Sequence, residues 1–253
     1  MEDDSMQKDR VEAALAAART CLATRFIGAS HLFVAGSILR GDGNAFSDID
    51  LVVLYPKLER AWRESLVLDG FPIEAFVQDP ETLAYFFKSD AERGVPVIID
   101  MVANGVIVGD GAADAVALQQ RARQILAVGP RPLAGAPLDA MRYILTDLAD
   151  DLRAERPADE VAAIAAQLYP RLIDLILLGR GQWTGNGKWG PRLLRRFDAR
   201  LAEIAAEAFG DAVQGRAAAL LALTDQELAR HGGRLFEGYR SDAALEARIP
   251  AGA

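Results

Sequence analysis

The chain has 253 residues, of which 51% are apolar and 25% charged, a composition typical of a soluble globular protein with one large domain or two modest ones. A single cysteine excludes an intramolecular disulfide, and two histidines argue against a histidine metal cluster. No apolar run approaches the roughly 20 residues that cross a bilayer, and the charged N-terminus does not resemble a secretory signal. These features predict a cytoplasmic protein with no membrane partner.

The formal net charge of −8 limits the partners that the chain is expected to bind. Proteins that grip nucleic acid by its phosphates usually present a basic face, so no nucleic-acid partner is expected. An acidic cleft would instead attract a cationic small molecule. The oligomeric state is left open.

In the first half of the chain, predicted helices alternate with short predicted strands. The helices are expected at residues 6–25, 57–68 and from Pro80 onward with Asp79 as the cap, and the strands at 31–36, 49–55, 72–78 and 106–108. The polar segment at 40–48 is rich in Gly, Asp, Asn and Ser and predicts a loop.

From about residue 112 onward the apolar spacing is helical. The predicted helices cover 112–127, 138–155, 158–179, 190–208, 211–223 and 224–239. Three prolines and two glycines in 129–137 predict a hinge. The predicted fold is thus an α/β (α+β) N-terminal domain with a small mixed sheet, residues 1–128, and a C-terminal all-α helical bundle, residues 129–253. Pro170 is expected to kink or split its helix.

Two aspartates mark the start of the second predicted strand. Asp48 and Asp50 are two residues apart, so a strand places both carboxylates on one face and turns Ile49 and Leu51 toward a core. Adjacent ionised carboxylates repel each other unless a cation lies between them. Because their ligand atoms are hard oxygens, the favoured ion is Mg²⁺ or Mn²⁺.

A second feature precedes this pair by a short loop. Gly36 and Ser37 end the first predicted strand, where glycine lets the backbone approach a phosphate and the following N–H groups favour an anion. Ser37 adds a hydroxyl donor, and Arg40 adds a cation that binds phosphate oxygens. A third carboxylate, Glu74, lies in the strand at 72–78 and reaches the same metals if that strand pairs with 49–55.

The order of strand, Gly-Ser, polar loop, Asp-Ile-Asp and strand across residues 33–78 resembles the DNA polymerase β-type nucleotidyltransferase superfamily. The small bacterial branch with a helical C-terminal domain, which includes the antibiotic (aminoglycoside-type) nucleotidyltransferases, is the most similar in size. The resemblance implies a transferase that moves a nucleoside monophosphate, AMP from ATP by expectation, to a hydroxyl of a small-molecule acceptor and releases pyrophosphate.

By the same resemblance, Gly36 and Ser37 bind the nucleoside triphosphate, and Asp48 and Asp50 bind the metal. Glu74 is then the third metal ligand or the general base. Many members carry Asp at that position, and some antibiotic-modifying members take their base from the helical domain. Both assignments of the base stay open.

The segment 180–196 is a further candidate in the helical half. It combines Lys188, Arg192, Arg195 and Arg196 with Trp183 and Trp189 around a glycine-rich loop. Lys188 is expected to reach the β- and γ-phosphates of the triphosphate. The alternative is that these basic residues are solvated side chains at the start of a helix. The segment is not a P-loop, because Trp189 follows the lysine where Ser or Thr is required.

Three other functions compete with transfer to a small molecule. An antitoxin-type protein AMP-transferase is disfavoured by the large helical half. A glycosyltransferase explains Asp48 and Asp50 but not Gly36 and Ser37. A non-catalytic nucleotide-binding sensor is expected to have lost part of its carboxylate set, whereas Asp48 and Asp50 are both present.

Overall fold

The computed structural model describes residues 2–244 and divides into two compact units, Met1–Pro130 and Arg131–Ala253. The first unit contains, in chain order, α1 (Glu2–Thr24), β1 (His31–Ala35), β2 (Ile49–Leu54), β3 (Trp62–Leu68), β4 (Phe71–Gln78), α2 (Pro80–Arg93), α3 (Val97–Asn104), β5 (Val106–Gly109) and α4 (Ala112–Val128). The second unit contains α5 (Ala136–Arg153), α6 (Ala158–Leu178), α7 (Trp189–Phe197), α8 (Ala199–Val213) and α9 (Ala218–Ala229). The predicted fold class, an α/β domain followed by helices, is confirmed.

The five strands form one mixed sheet in the order β3-β4-β2-β1-β5. β2 and β4 are parallel, and every other neighbouring pair is antiparallel. β4 therefore lies inside the sheet, between β3 and β2. This pairing brings the strand that carries Asp50 next to the strand that carries Glu74.

One face of the sheet packs against α1. The helix contributes small buried residues, including Ala14, Ala18 and Cys21, to a core that it shares with alternate residues of the strands. Small side chains let the helix approach the sheet closely, and the apolar area removed from water stabilises this layer at roughly 25 cal/mol per Å². The opposite face carries the remaining alternate residues, and α3 packs there against β1 and β2.

The prediction of a helix over 57–68 is wrong, because this segment contains β3. Its burial alternates along the strand, with Glu64, Leu66 and Leu68 half-buried and their neighbours exposed. Asp69 and Gly70, both with positive φ, form the turn into β4. The charged residues that favoured a helix instead belong to the edge of a sheet, where charges discourage pairing with other chains.

The helix start at Pro80 is confirmed, with Asp79 as its cap. An Oδ oxygen of Asp79 accepts a hydrogen bond from the Thr82 backbone N–H, and the Thr82 hydroxyl accepts one from the Asp79 N–H. α3, an eight-residue apolar helix, was not predicted, because so short a buried run has no clear period.

The second unit is helical as predicted, but two of its helix bounds are wrong. The helix expected at 190–208 is divided at Asp198, which ends α7 and caps α8 by accepting the Leu201 N–H. Two helices were expected at 211–223 and 224–239, whereas the structure has the end of α8, which reaches Val213, and then α9. Pro170 does not split its helix, since α6 is continuous through it.

By length and composition alone, α6 is apolar enough to cross a membrane, so the expectation that no run approaches this length is wrong. In the structure one side of this helix, including Leu168, Leu172 and Ile176, is fully buried in the core of the second unit. This packing is typical of the central helix of a bundle.

Candidate active site

Asp48 immediately precedes β2 and Asp50 is its second residue, on the sheet face opposite α1. Ile49, Leu51 and Val53 are fully buried in the core with α1. Because successive side chains of a strand point to opposite faces, the two aspartates are held on the other face by the burial of their neighbours. Asp50 is half-buried and Asp48 is exposed.

Glu74 joins this pair through the parallel pairing of β2 with β4. In that register Asp50 lies directly opposite Glu74. Carboxylate oxygens of Asp48, Asp50 and Glu74, one from each residue, lie within 4.8 Å of one another. Three hard oxygen donors at this spacing suit a divalent cation such as Mg²⁺ or Mn²⁺, which would be held between them.

The electrostatics of Asp50 reflect this crowding. Burial, together with the neighbouring carboxylates of Asp48 and Glu74, raises the pKa of Asp50 to about 6. The guanidinium groups of Arg40 and Arg63 act in the opposite direction but are outweighed. A carboxylate that resists ionisation beside two others is the arrangement that a bound cation relieves.

Arg63 is a site residue that the sequence analysis missed. Its guanidinium forms an ion pair with Glu74 and lies over the Phe76 ring, 4.9 Å from the ring centroid. It belongs to β3, in the segment mistaken for a helix. The available signal was the Asp69-Gly70 pair, which is typical of a tight turn between two strands.

Gly36 lies directly against the two aspartates. Its φ is +105°, a conformation that residues with a Cβ rarely adopt. A Cβ at this position would lie 3.0 Å from the Asp48 carbonyl oxygen and 3.4 Å from Asp50 Oδ2. Glycine is therefore required both by the backbone angle and by the close approach of β1 to the acidic cluster.

The loop that connects β1 to β2 is a series of turns held by internal hydrogen bonds. The Ser37 hydroxyl donates to Ser47 Oγ at 2.8 Å, and Ser47 Oγ also accepts the Asn44 N–H. Two α1 side chains reach the same loop, because Gln7 donates to the Gly41 carbonyl and Arg10 to the Asn44 carbonyl. The loop is thereby ordered around Ser37.

The structure thus brings Gly36, Asp48, Asp50 and Glu74 together, with Ser37 next in the chain and Arg40 close enough to influence Asp50. Lys188 belongs to the second unit, where it is the exposed residue before α7. Trp189 follows it, with the guanidinium groups of Arg192 and Arg196 over its ring. The expected contact of Lys188 with phosphates stays a prediction.

Comparison with known proteins agrees with this geometry. Residues 16–108, which include the acidic cluster and the loop before it, match a protein-family model described as "Nucleotidyltransferase domain". The match identifies a nucleotidyltransferase domain in the first unit and confirms that the chain is a nucleotidyltransferase enzyme.

The chain is also similar to a solved structure, the crystal structure of a nucleotidyltransferase-like protein from Exiguobacterium sibiricum 255-15. The identity is 12% and the TM-score 0.42, over 86% of this chain and 76% of that chain. No curated protein matches the chain.

Proposed function

Given the nucleotidyltransferase domain in residues 16–108, we propose that the protein transfers a nucleoside monophosphate to a hydroxyl group of a small molecule. ATP is the proposed donor, and pyrophosphate is the second product. The observation that carries the proposal is the cluster of Asp48, Asp50 and Glu74, whose carboxylate oxygens lie within 4.8 Å of one another.

In this proposal the three carboxylates hold Mg²⁺ or Mn²⁺. The cation, when bound, neutralises phosphate charge and makes the acceptor hydroxyl easier to deprotonate. Asp50 and Glu74 are fixed by the paired strands β2 and β4, so they need little reorganisation when substrates arrive. Gly36, Ser37 and Arg40 bind the triphosphate through backbone N–H groups, a hydroxyl and a guanidinium.

The reaction forms a bond between the acceptor oxygen and the α-phosphorus and breaks the bond from that phosphorus to the pyrophosphate leaving group. We assign Glu74 as the third metal ligand. Its carboxylate is engaged in an ion pair with Arg63 and lies together with those of Asp48 and Asp50. The acceptor proton then passes to another group, with the helical unit as the proposed source.

The acceptor in this proposal is a small molecule that carries a positive charge, since the chain has a net charge of −8. An aminoglycoside-like antibiotic is one acceptor of that class. Lys188 is assigned to the β- and γ-phosphates, and the proposed location is the cytoplasm. The alternatives are AMP transfer to a protein and a sensor that binds nucleotide without turnover.

The test is to incubate the full chain with Mg²⁺, each nucleoside triphosphate in turn and a panel of hydroxylated amines, and to measure pyrophosphate. Asp48→Asn and Asp50→Asn should lower its release at least about a hundredfold, the scale expected when a group that stabilises the transition state is lost. Asp42→Asn, in the same loop and exposed, is the matched control and should retain activity.

Three outcomes would contradict the proposal. Full activity of Asp48→Asn and Asp50→Asn would remove the cluster from the reaction. Mg²⁺-dependent nucleotide binding without turnover on any acceptor would favour the sensor. Labelling of protein substrates, but not of small molecules, would favour the protein AMP-transferase.

A further inference from the structure

Arg63 brings a guanidinium group to the acidic cluster from β3, the strand outside β4. In the register of these two strands Arg63 lies directly opposite Phe76. Phe76 is two residues beyond Glu74 on β4, and side chains that are two apart or directly opposite share one face of a sheet. Arg63 is therefore on the face that carries Glu74 and, through β2, Asp50.

Two contacts hold this guanidinium, and neither closes it off. Nη2 forms the ion pair with Glu74, and Cζ lies 4.9 Å from the centroid of the Phe76 ring. The Arg63 side chain is still 60% exposed. A guanidinium carries five N–H groups, and among the described residues 2–244 the side-chain hydrogen bond of Arg63 involves Nη2 alone. The N–H groups on Nε and Nη1 are therefore available to a ligand.

The sheet surface next to Arg63 is open. Ser65, which lies opposite Glu74, and Val67 follow Arg63 on the same face of β3, and both are exposed. On this face α3 packs against β1 and β2, on the far side of β4 from Arg63. A molecule held at the acidic cluster can therefore extend across β4 and reach the guanidinium.

A phosphate group is the ligand that fits this position. The forked N–H groups of a guanidinium match two phosphate oxygens, and a divalent cation between the three carboxylates would bind a phosphate at the same place. Arg63 and Arg40 both act against the raised pKa of Asp50, so both charges lie near that carboxylate. Arg40 belongs to the loop before β2 and Arg63 to β3, so the two arginines can bind different phosphates of one nucleotide.

We propose that Arg63 binds the nucleotide, with its guanidinium on the non-bridging oxygens of the α-phosphate while the divalent cation lies between Asp48, Asp50 and Glu74. This inference rests on the proposed function, because it takes the acidic cluster to be the metal site of nucleotidyl transfer. It adds a substrate contact from the outermost strand of the sheet. Glu74 then has two tasks, since it holds the cation and also positions Arg63 through the ion pair.

The test is calorimetry on the full chain at a Mn²⁺ concentration that saturates every variant. One probe is α,β-methylene-ATP, which keeps the α-phosphate but cannot release pyrophosphate, and the other is pyrophosphate, which has no nucleoside phosphate. Arg63→Gln should bind α,β-methylene-ATP at least about tenfold more weakly than the wild type, as expected when hydrogen bonds to a charged group are lost. Its affinity for pyrophosphate should stay close to that of the wild type.

Arg60→Gln removes the same charge from an exposed position of the same unit and is the control, so it should bind both probes like the wild type. Urea unfolding checks that Arg63→Gln is folded, as its exposure predicts. Wild-type affinity of Arg63→Gln for α,β-methylene-ATP would overturn the proposal. An equal loss for both probes would also overturn it, because it would indicate a general effect of charge. Failure of the wild type to bind either probe would instead overturn the proposed function, and this inference with it.

Discussion

Asp50 of β2 and Glu74 of β4 lie directly opposite each other on parallel strands, although the whole of β3 separates them in sequence. This pairing completes the acidic cluster that begins with Asp48. The third carboxylate is therefore positioned by the register of the sheet, and changes around it should have separable effects on the cation, on the fold and on catalysis.

Gly36→Ala should damage both stability and activity. The positive φ alone should cost about 1–2 kcal/mol, and the added methyl group must also displace the Asp48 carbonyl or the Asp50 carboxylate. We expect at least a tenfold loss in kcat/KM for pyrophosphate release. A tenfold loss corresponds to about 1.4 kcal/mol less stabilisation of the transition state. Gly70→Ala is the control, since Gly70 also has positive φ but nothing lies near its missing Cβ. Equal activity in the two variants would contradict a role for Gly36 in shaping the cluster.

Asp50 should make the metal-free protein less stable as pH rises. Its pKa of about 6 in the folded protein exceeds its ordinary value of 3.8, so the folded state favours the protonated form. The stability that this group contributes is fully present below about pH 4 and is lost as pH rises through 6. The loss in the free energy of unfolding is at most about 3 kcal/mol.

Asp50→Asn removes this dependence. In EDTA, urea unfolding should show the variant to be more stable than wild type at pH 7.5, with the difference shrinking toward pH 4.5. Mg²⁺ should stabilise the wild type but not the variant. A stability difference that is the same at both pH values would refute the assignment.

Arg63→Gln should strengthen binding of the divalent cation. The substitution removes a positive charge next to the cluster and releases Glu74 from its ion pair. We expect the affinity for Mn²⁺, measured by calorimetry, to rise about threefold or more. A tenfold rise would correspond to about 1.4 kcal/mol in binding free energy. Arg60→Gln, on an exposed loop, should leave it unchanged. Weaker Mn²⁺ binding in Arg63→Gln would mean that Arg63 instead holds Glu74 in its ligating position.

Asp79→Ala should lower stability without a comparable loss of activity. One carboxylate oxygen caps α2 at the Thr82 N–H, and the other accepts the Leu58 N–H at 3.0 Å, in a side chain that is 2% exposed. Loss of a buried cap with two backbone bonds should cost about 2 kcal/mol in the free energy of unfolding. Asp198→Ala removes an exposed cap with one such bond and should cost about 1 kcal/mol.

The part of the site that was predictable from the sequence is local in the chain. The alternation of Asp48, Ile49, Asp50 and Leu51 specifies a strand with one buried face, and Gly36 with Ser37 marks the turn before it. These patterns depend on neighbouring residues and on a two-residue period, so they required no knowledge of the sheet.

The parts that were missed depend on contacts between distant segments. The ion pair of Arg63 with Glu74 exists because β3 is the strand outside β4, which the composition of 57–68 did not reveal. In the helical unit, the break at Asp198 was missed because apolar spacing continues across it. The extended backbone of Asp198 and its cap bond to Leu201 divide the two helices.

The hydrogen bonds from Gln7 and Arg10 to the loop before Asp48 have a consequence for the proposed binding of the triphosphate by that loop. A segment already ordered by its neighbours gives up little conformational freedom when a phosphate arrives, so more of the contact energy appears as affinity. The cost of ordering is met during folding, when the first helix docks on the sheet. If the loop binds the triphosphate as proposed, residues more than thirty positions upstream of the aspartates would help to set how tightly the nucleotide is held.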